Sequence, residues 1–161
     1  MTICTYNKEC MFGDVVDGVI VLNEFGKVVE SVWSDLPRHY SDIRLDAFII
    51  MPNHVHSIIF IVGAGFKPAP TKRLPLSEVV RGFKTFSSRR VNEIRGVSGI
   101  PVWQRNYYEH IIRNEKDLDE IREYVINNPI KWDLDDENPR NIKVGTGLKP
   151  APTGKFKQNG E

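Results

Sequence analysis

Two histidines are placed where their imidazoles can share one ion. His54 and His56 flank Val55 within a run of apolar residues that predicts a strand. Because side chains alternate along a strand, both imidazoles face the same side, with their Cβ atoms on the order of 7 Å apart. Each ring can lean toward a cation between them. The alternative is a pair of histidines on a solvated strand face. However, the strands are otherwise apolar, and burying two polar rings there costs free energy unless they have binding partners.

A tyrosine and an asparagine share one face of the last predicted helix. Tyr124 and Asn128 are four residues apart, so they are neighbours on that helix surface. Leu118, Ile121 and Val125 are spaced to hold the helix on a sheet, which puts Tyr124 at the edge of the buried stripe. The alternative is a tyrosine that packs its ring and leaves its hydroxyl in water.

Basic side chains concentrate in the middle of the chain. The whole chain carries 22 basic and 21 acidic residues, yet residues 81–113 hold seven basic residues against Glu93 and Glu109. Trp103, Tyr107 and Tyr108 lie in the same stretch. Cations that bind phosphates and rings that stack on bases are what single-stranded nucleic acid needs. The alternative is a solvated basic helix face. The basic residues are Arg81, Lys84, Arg89, Arg90, Arg95, Arg105 and Arg113.

The elements that must position these residues follow an α+β order. The turn Met51-Pro52-Asn53 joins two strong strands, which should pair antiparallel. The order predicts a ferredoxin-like antiparallel sheet with helices on one face, plus a C-terminal helix that carries Tyr124. Strands are predicted at residues 2–6, 15–22 (weakly), 44–50, 54–62 and 102–112. Helices are predicted from Asn23 to Pro37, over 77–94 with Ser77 as cap and Phe83 and Phe86 on the apolar stripe, and over 115–127.

The domain is expected to span residues 1–132. The segment VGAGFKPAPTK at 62–72 recurs as VGTGLKPAPTG at 144–154. We interpret the first copy as a repeat-derived loop without a chemical role, because both copies lie where insertions are tolerated. After Trp132 the composition turns polar, and residues 133–161 are predicted to form a disordered tail.

Composition excludes several classes of protein. The net charge of +1 excludes a histone-like polycation and a strongly acidic disordered chain. No apolar run reaches the roughly 18 residues of a membrane span, and no secretory signal is visible. Cys4 and Cys10 match neither a zinc spacing nor a disulfide scaffold, which indicates a reducing cytoplasm.

The two motifs together resemble those of a known family. Residues 51–56, MPNHVH, followed by an apolar strand, resemble the His-hydrophobic-His (HUH) strand of single-tyrosine transposases. Residues 102–115, VWQRNYYEHIIRNE, with 124–129, YVINNP, resemble the C-terminal half of the same family. The REP-associated tyrosine transposase branch is the most similar, and the resemblance covers roughly residues 2–132.

The resemblance implies an enzyme that cleaves and rejoins single-stranded DNA, often at the foot of a hairpin, and that works at the nucleoid. Its two metal-ligand histidines match His54 and His56, its nucleophile matches Tyr124, and its third, oxygen ligand matches Asn128. The metal is then Mg²⁺ or Mn²⁺, and attack by the tyrosine leaves a 5′-phosphotyrosine. Tyr107 and Tyr108 remain rival nucleophiles on spacing grounds, and Asn127 remains a rival ligand.

Other interpretations stay open at this point. The chain starts directly in its first predicted strand, where relatives usually carry an extension that grips DNA, and this favours a catalytically impaired DNA-binding relic as an alternative. A replication initiator or relaxase with the same chemistry is usually larger. A metal hydrolase unrelated to DNA leaves the basic stretch unexplained. The resemblance leaves the oligomeric state open between monomer and homodimer.

Overall fold

The computed structural model describes residues 1–62 and 74–141. Within these ranges, no helix is long and apolar enough to cross a membrane. The strands are β1 (Thr2–Cys4), β2 (Gly13–Val16), β3 (Val19–Leu22), β4 (Ile43–Met51) and β5 (His54–Ile61). The α-helices are α1 (Glu24–His39), α2 (Leu76–Ile94) and α3 (Glu115–Ile126), and short 3-10 helices occupy Tyr6–Lys8, Pro129–Leu134 and Pro139–Asn141.

A three-stranded antiparallel sheet with the order β1-β5-β4 forms the centre of the fold. Pro52 and Asn53 make the turn between β4 and β5, and Met51 pairs with His54, as the sequence predicted. β1 pairs with the other edge of β5, with Thr2 opposite His56. The weak strand predicted over 15–22 is instead the separate hairpin of β2 and β3. It turns at Asp17 and Gly18, whose positive φ angles of 51° and 74° suit a two-residue hairpin turn.

The hydrophobic core lies between the sheet and one helical layer, made of α1 and α2. Val55 and Ile3 point from the sheet into this layer and are fully buried. Trp33 of α1 stacks on Phe48 of β4 with ring centroids 4.4 Å apart, and it meets Phe83 of α2 edge to face at 5.5 Å. The mixed helix and antiparallel sheet class predicted from the sequence is confirmed.

The other face of the sheet carries α3 and the 3-10 helix Pro129–Leu134. Alternation along β5 turns His54 and His56 toward this side, where their rings meet Trp132 and Tyr124. Asn114 begins α3 as predicted, since its Oδ1 accepts a hydrogen bond from the backbone N–H of Asp117 at 2.9 Å.

One ion pair ties α3 to the sheet. The register of β4 against β5 shifts between Leu45 and Phe48, and Asp46 lies in this irregular stretch. Arg122 of α3 donates Nε to Asp46 Oδ1 at 2.8 Å and Nη2 to Oδ2 at 2.7 Å. The two parallel bonds set the rotation of α3 about its axis as well as its distance from the sheet. The hydrogen bonds from Arg122 hold the pKa of Asp46 down to about 2.

Two details of the predicted helices are wrong. Pro37 does not end α1, which continues to His39. Proline removes only its own backbone donor, and the N–H of the C-cap residue Tyr40 still reaches Leu36 O at 2.9 Å. Ser77 does not cap α2, because the helix starts one residue before it with Pro75 at the N-cap and no capping side chain.

The strand predicted over 102–112 is also wrong. This segment makes two isolated bridges to the β1 side, Trp103 with Thr5 and Tyr108 with Thr2, and is otherwise irregular. Between the bridges, the backbone carbonyls of residues 104, 105 and 106 all accept hydrogen bonds from Lys84 Nζ, at 2.8, 3.1 and 3.0 Å. These carbonyls therefore face α2, and a regular ladder cannot form there.

The folded chain extends beyond the predicted boundary at residue 132. Polar side chains of residues 133–141 close their own turns: Asp135 Oδ1 accepts from the N–H of Glu137 at 2.8 Å, and Asn138 Nδ2 donates to Trp132 O at 2.9 Å. The composition that suggested disorder therefore builds local structure here. Residues 142–161 of the predicted tail, and the predicted loop at 62–72 apart from Val62, lie outside the described residues.

We expect Phe83→Ala to lower the free energy of unfolding by about 3–5 kcal/mol, because it empties a fully buried aromatic position. Phe86→Ala is the matched control on the same helix, since Phe86 is 39% exposed, and it should cost about 1 kcal/mol or less. Urea unfolding of both variants measures the difference. Equal costs would contradict the placement of the core between the sheet and α2.

Candidate metal centre and nucleophile

The two histidines bring their ring nitrogens together. His54 is fully buried and His56 is 7% exposed, and their Nε2 atoms lie 3.0 Å apart. The rings meet nearly at right angles, with centroids 4.6 Å apart. Each outer nitrogen has a polar partner at 2.8 Å: Nδ1 of His54 contacts Asn53 Oδ1, and Nδ1 of His56 contacts Thr2 Oγ1. The two Nε2 atoms are thus aimed at a common point.

Both imidazoles are neutral near pH 7. Burial lowers the pKa of His54 to about 4, against the opposing effect of the Asn128 amide and with a further small decrease from Lys8. Burial also places the pKa of His56 well below its usual value, and the neighbouring His54 adds to the effect. A neutral imidazole keeps a lone pair that a metal ion can accept, so no proton has to be displaced at neutral pH.

Asn128 supplies an amide oxygen without a partner. Its side chain is 2% exposed, and Oδ1 is buried with no hydrogen bond of normal geometry. The residue lies two positions after the end of α3 and caps the start of the 3-10 helix Pro129–Leu134. Asn127, the rival in the sequence, is half-buried and caps the helix through its backbone N–H. A buried carbonyl oxygen without a donor costs free energy unless something binds it.

These three atoms make a donor set that fits a divalent cation. Two imidazole nitrogens and one amide oxygen, with open positions beside them, suit Mn²⁺ and are compatible with Mg²⁺. Within residues 1–62 and 74–141, no three His, Cys, Asp or Glu side chains gather into a metal cage. A third protein ligand beside the two histidines would thus have to come from another residue type, such as the amide of Asn128.

Tyr124 lies beside this donor set. Its ring centroid is 5.2 Å from that of His56, and the side chain is 47% exposed, so a ligand from solvent can reach it. Burial of the hydroxyl raises the pKa of Tyr124, Asp135 raises it further, and the Asn128 amide lowers it. Of the rival nucleophiles, Tyr107 packs under Lys84 and Tyr108 pairs with the backbone of Thr2.

The C-terminal segment contributes residues that the sequence interpretation missed. Trp132 packs against His54 with ring centroids 6.0 Å apart. Glu137 forms an ion pair with Lys8 at 2.9 Å, and burial raises the pKa of Asp135 near Tyr124. The polar composition after Trp132 had led to the prediction of a disordered tail there. A sequence signal for this was Pro129, which begins the 3-10 helix that runs along the site after α3 has ended.

Two of the residues predicted to bind DNA are used inside the fold. Trp103 is 6% exposed, packs against Phe12 and Phe83, and donates its indole N–H to Ser87 Oγ at 2.8 Å. Its ring is therefore not available for stacking on a base. Lys84 is half-buried and donates to the three carbonyls described above, so its ammonium is engaged in holding the 104–106 segment.

The remaining basic residues lie on the opposite side of the sheet from the histidines. Arg81 pairs with Glu78, and Arg89 with Glu93 at 3.4 Å, both within α2. Arg90 is exposed. Arg105 lines an open cleft of about 280 Å³ between α2 and the 101–105 segment. The structure thus separates these arginines from the candidate metal centre.

The amino-acid sequence is similar to one protein family and to individual bacterial proteins. Residues 19–128 match the family described as "Transposase IS200 like". An uncharacterized protein of Haemophilus influenzae is 41% identical over 151 residues, covering 84% of this chain and 81% of that protein. A second protein of the same organism, named as a REP-associated tyrosine transposase, is 29% identical over 119 residues, covering 68% of this chain and 60% of its own length.

A solved structure shares the fold. It is that of a REP-associated tyrosine transposase bound to a REP hairpin, with a TM-score of 0.54 and 20% sequence identity. The match covers 81% of this chain and 64% of that one, so this chain spans less than two thirds of the solved protein.

We expect Asp135→Asn to lower the pKa of Tyr124, because a nearby carboxylate disfavours the tyrosinate anion and the substitution removes that charge. The pKa can be followed by NMR of ¹³Cζ-labelled tyrosine. Asp133→Asn is the control, because Asp133 is exposed and does not affect Tyr124. A Tyr124 pKa that stays unchanged in the Asp135 variant would contradict this arrangement of charges.

Proposed function

We propose, because this chain belongs to the IS200-like transposase family, that it cleaves and rejoins single-stranded DNA with Tyr124 as the nucleophile. The observation that carries the proposal is the grouping of three features on one face of the sheet. They are the paired Nε2 atoms of His54 and His56, the unpartnered Oδ1 of Asn128, and the half-exposed ring of Tyr124.

The donor set supports a metal-dependent reaction. His54 Nε2, His56 Nε2 and Asn128 Oδ1 are the atoms that would hold Mg²⁺ or Mn²⁺. Such an ion, when bound, neutralises charge on the scissile phosphate and polarises its phosphorus. The neutral imidazoles keep their lone pairs at physiological pH, and the buried walls around them limit access of water.

Tyr124 forms the covalent intermediate in this proposal. Its Oη gives up its proton and attacks phosphorus, the bond between phosphorus and the 3′-oxygen breaks, and that oxygen takes up one proton in exchange and leaves as a free 3′-hydroxyl. The tyrosine is then joined to the 5′-phosphate, and the bond energy kept there allows a second 3′-hydroxyl to displace the tyrosine without ATP. The raised pKa of Tyr124 keeps its hydroxyl protonated at pH 7, so this proton has to leave as Oη attacks, and positive charge near the phosphate favours that loss.

The substrate we propose is a single strand at the foot of a DNA hairpin. This rests on the family and on the solved relative with a bound REP hairpin. Arg89, Arg90 and Arg105 are exposed and can neutralise phosphates of the flanking DNA. Because they lie across the sheet from the histidines, DNA bound by these arginines would have to pass around an edge of the sheet to reach Tyr124.

The deciding experiment is a covalent-adduct assay with Mn²⁺ and hairpins from DNA that flanks the gene, labelled at either end. A denaturing gel should show a shifted band carrying only DNA from the 3′ side of the cut. Tyr124→Phe should lose this band and still bind the hairpin, since it removes only the nucleophilic oxygen.

Tyr108→Phe is the matched control, because Tyr108 is similarly exposed, 53% against 47% for Tyr124, and is a rival nucleophile in the sequence. It should leave the adduct unchanged. An adduct that survives in Tyr124→Phe and disappears in Tyr108→Phe would reassign the nucleophile. Tight hairpin binding by the wild-type protein without any adduct would favour the DNA-binding relic.

A further inference from the structure

Asn53 stands at the centre of a hydrogen-bond network beside the histidines. It lies in the turn between β4 and β5 and is 1% exposed. Its Nδ2 donates to two backbone carbonyls, Lys8 O at 3.1 Å and Glu137 O at 2.7 Å, and its Oδ1 contacts His54 Nδ1 at 2.8 Å. Its own backbone carbonyl accepts from the N–H and the hydroxyl of Thr5.

The contacts of the Asn53 side chain fix the position of the proton on His54. A backbone carbonyl can only accept, so the side of Asn53 that faces Lys8 O and Glu137 O must be its NH₂ group. The opposite side is then the amide oxygen, which also can only accept. Nδ1 of His54 must therefore carry the hydrogen, and its Nε2 is left with a bare lone pair that faces His56 and Asn128.

His56 is held differently. Its Nδ1 contacts the hydroxyl of Thr2, which can either donate or accept. His56 can therefore carry its hydrogen on Nε2 and donate it to His54 Nε2 across 3.0 Å when the site holds no cation. When a cation takes its Nε2, the same ring can carry the hydrogen on Nδ1 and donate it to Thr2. The two histidines therefore differ. The tautomer of His54 is fixed by Asn53, whereas His56 can change its tautomer when a cation binds.

We propose that Asn53 is a positioning residue of the metal centre, which presets His54 as a metal ligand by fixing its Nδ1–H tautomer. The proposal rests on the metal-dependent function proposed above. Partners of this kind orient ligand histidines and raise metal affinity without touching the metal.

The two backbone carbonyls that accept hydrogen bonds from Asn53 Nδ2 belong to residues outside the family match at 19–128. Lys8 precedes this range and Glu137 follows it, and their side chains form an ion pair at 2.9 Å. Lys8 and Asn7 both adopt positive φ angles, 56° and 53°. In this conformation, the backbone carbonyl of Lys8 accepts the hydrogen bond from Asn53 Nδ2. The N-terminal turn and the C-terminal segment therefore act together on one amide group.

The test uses metal-free and DNA-free protein with ¹⁵N-labelled histidine. Long-range ¹H–¹⁵N correlation spectra distinguish the two tautomers, and His54→Gln identifies the signals of His54. The wild-type protein should show His54 with its hydrogen on Nδ1. A hydrogen on Nε2 in the wild type would overturn the proposal, whatever any variant does.

Asn53→Ala should give mixed His54 tautomers and weaken Mn²⁺ binding, measured by titration calorimetry, by about 10–100-fold. Thr5→Val is the matched control, because it removes a buried hydroxyl that bonds to the backbone of Asn53 and leaves the amide side chain in place. It should preserve both the tautomer and the affinity. An Asn53 variant with unchanged tautomer and affinity, or a Thr5 variant as impaired as the Asn53 variant, would contradict the proposal.

These readouts separate the two proposals. A wild-type protein with the expected tautomer and Mn²⁺ binding, but without a covalent adduct, refutes the strand-transfer function and supports the role of Asn53. A wild-type protein that forms the adduct while His54 carries its hydrogen on Nε2 supports the strand-transfer function and refutes the role of Asn53.

Discussion

Alternation along β5 is the constraint on which the rest of the structure depends. Val55 enters the core under α1 and α2, so His54 and His56 must turn to the opposite face. A slip of one residue in the pairing would exchange these faces, burying two imidazoles in the core and exposing the valine. The pairing of β5 with strands on both edges prevents this, and the same register brings Thr2 of β1 opposite His56.

The second layer of the site is set by α3 and the segment after it. The bidentate pair of Arg122 with Asp46 fixes the rotation of the helix, and the four-residue spacing then delivers Tyr124 and Asn128 to the same place. After α3 ends at Ile126, the 3-10 helix that starts at Pro129 brings Trp132 against His54. Burial keeps the imidazoles neutral, and polar partners on both Nδ1 atoms offset the cost of that burial.

Much of this arrangement could be predicted from local patterns. The β4–β5 hairpin, the shared face of His54 and His56, and the start of α3 all follow from periodicity and turn residues over a few positions. The predictions that were wrong concern residues whose positions depend on contacts between distant parts of the chain. Trp103 looked like a stacking surface, but Ser87, sixteen residues earlier, accepts its indole N–H inside the core. The polar residues after Trp132 looked like a tail, because nothing local shows that Asn53 binds the Glu137 carbonyl.

The central claim is that His54 Nε2, His56 Nε2 and Asn128 Oδ1 together hold one divalent cation beside Tyr124. Anomalous scattering from crystals grown with Mn²⁺ tests it most directly, because the signal locates the metal independently of activity. The account predicts one strong peak within bonding distance of all three atoms, which disappears in Asn128→Ala or becomes much weaker. A peak on the carboxylates of Asp135 and Glu137, or an empty space between the histidines at saturating Mn²⁺, would contradict it.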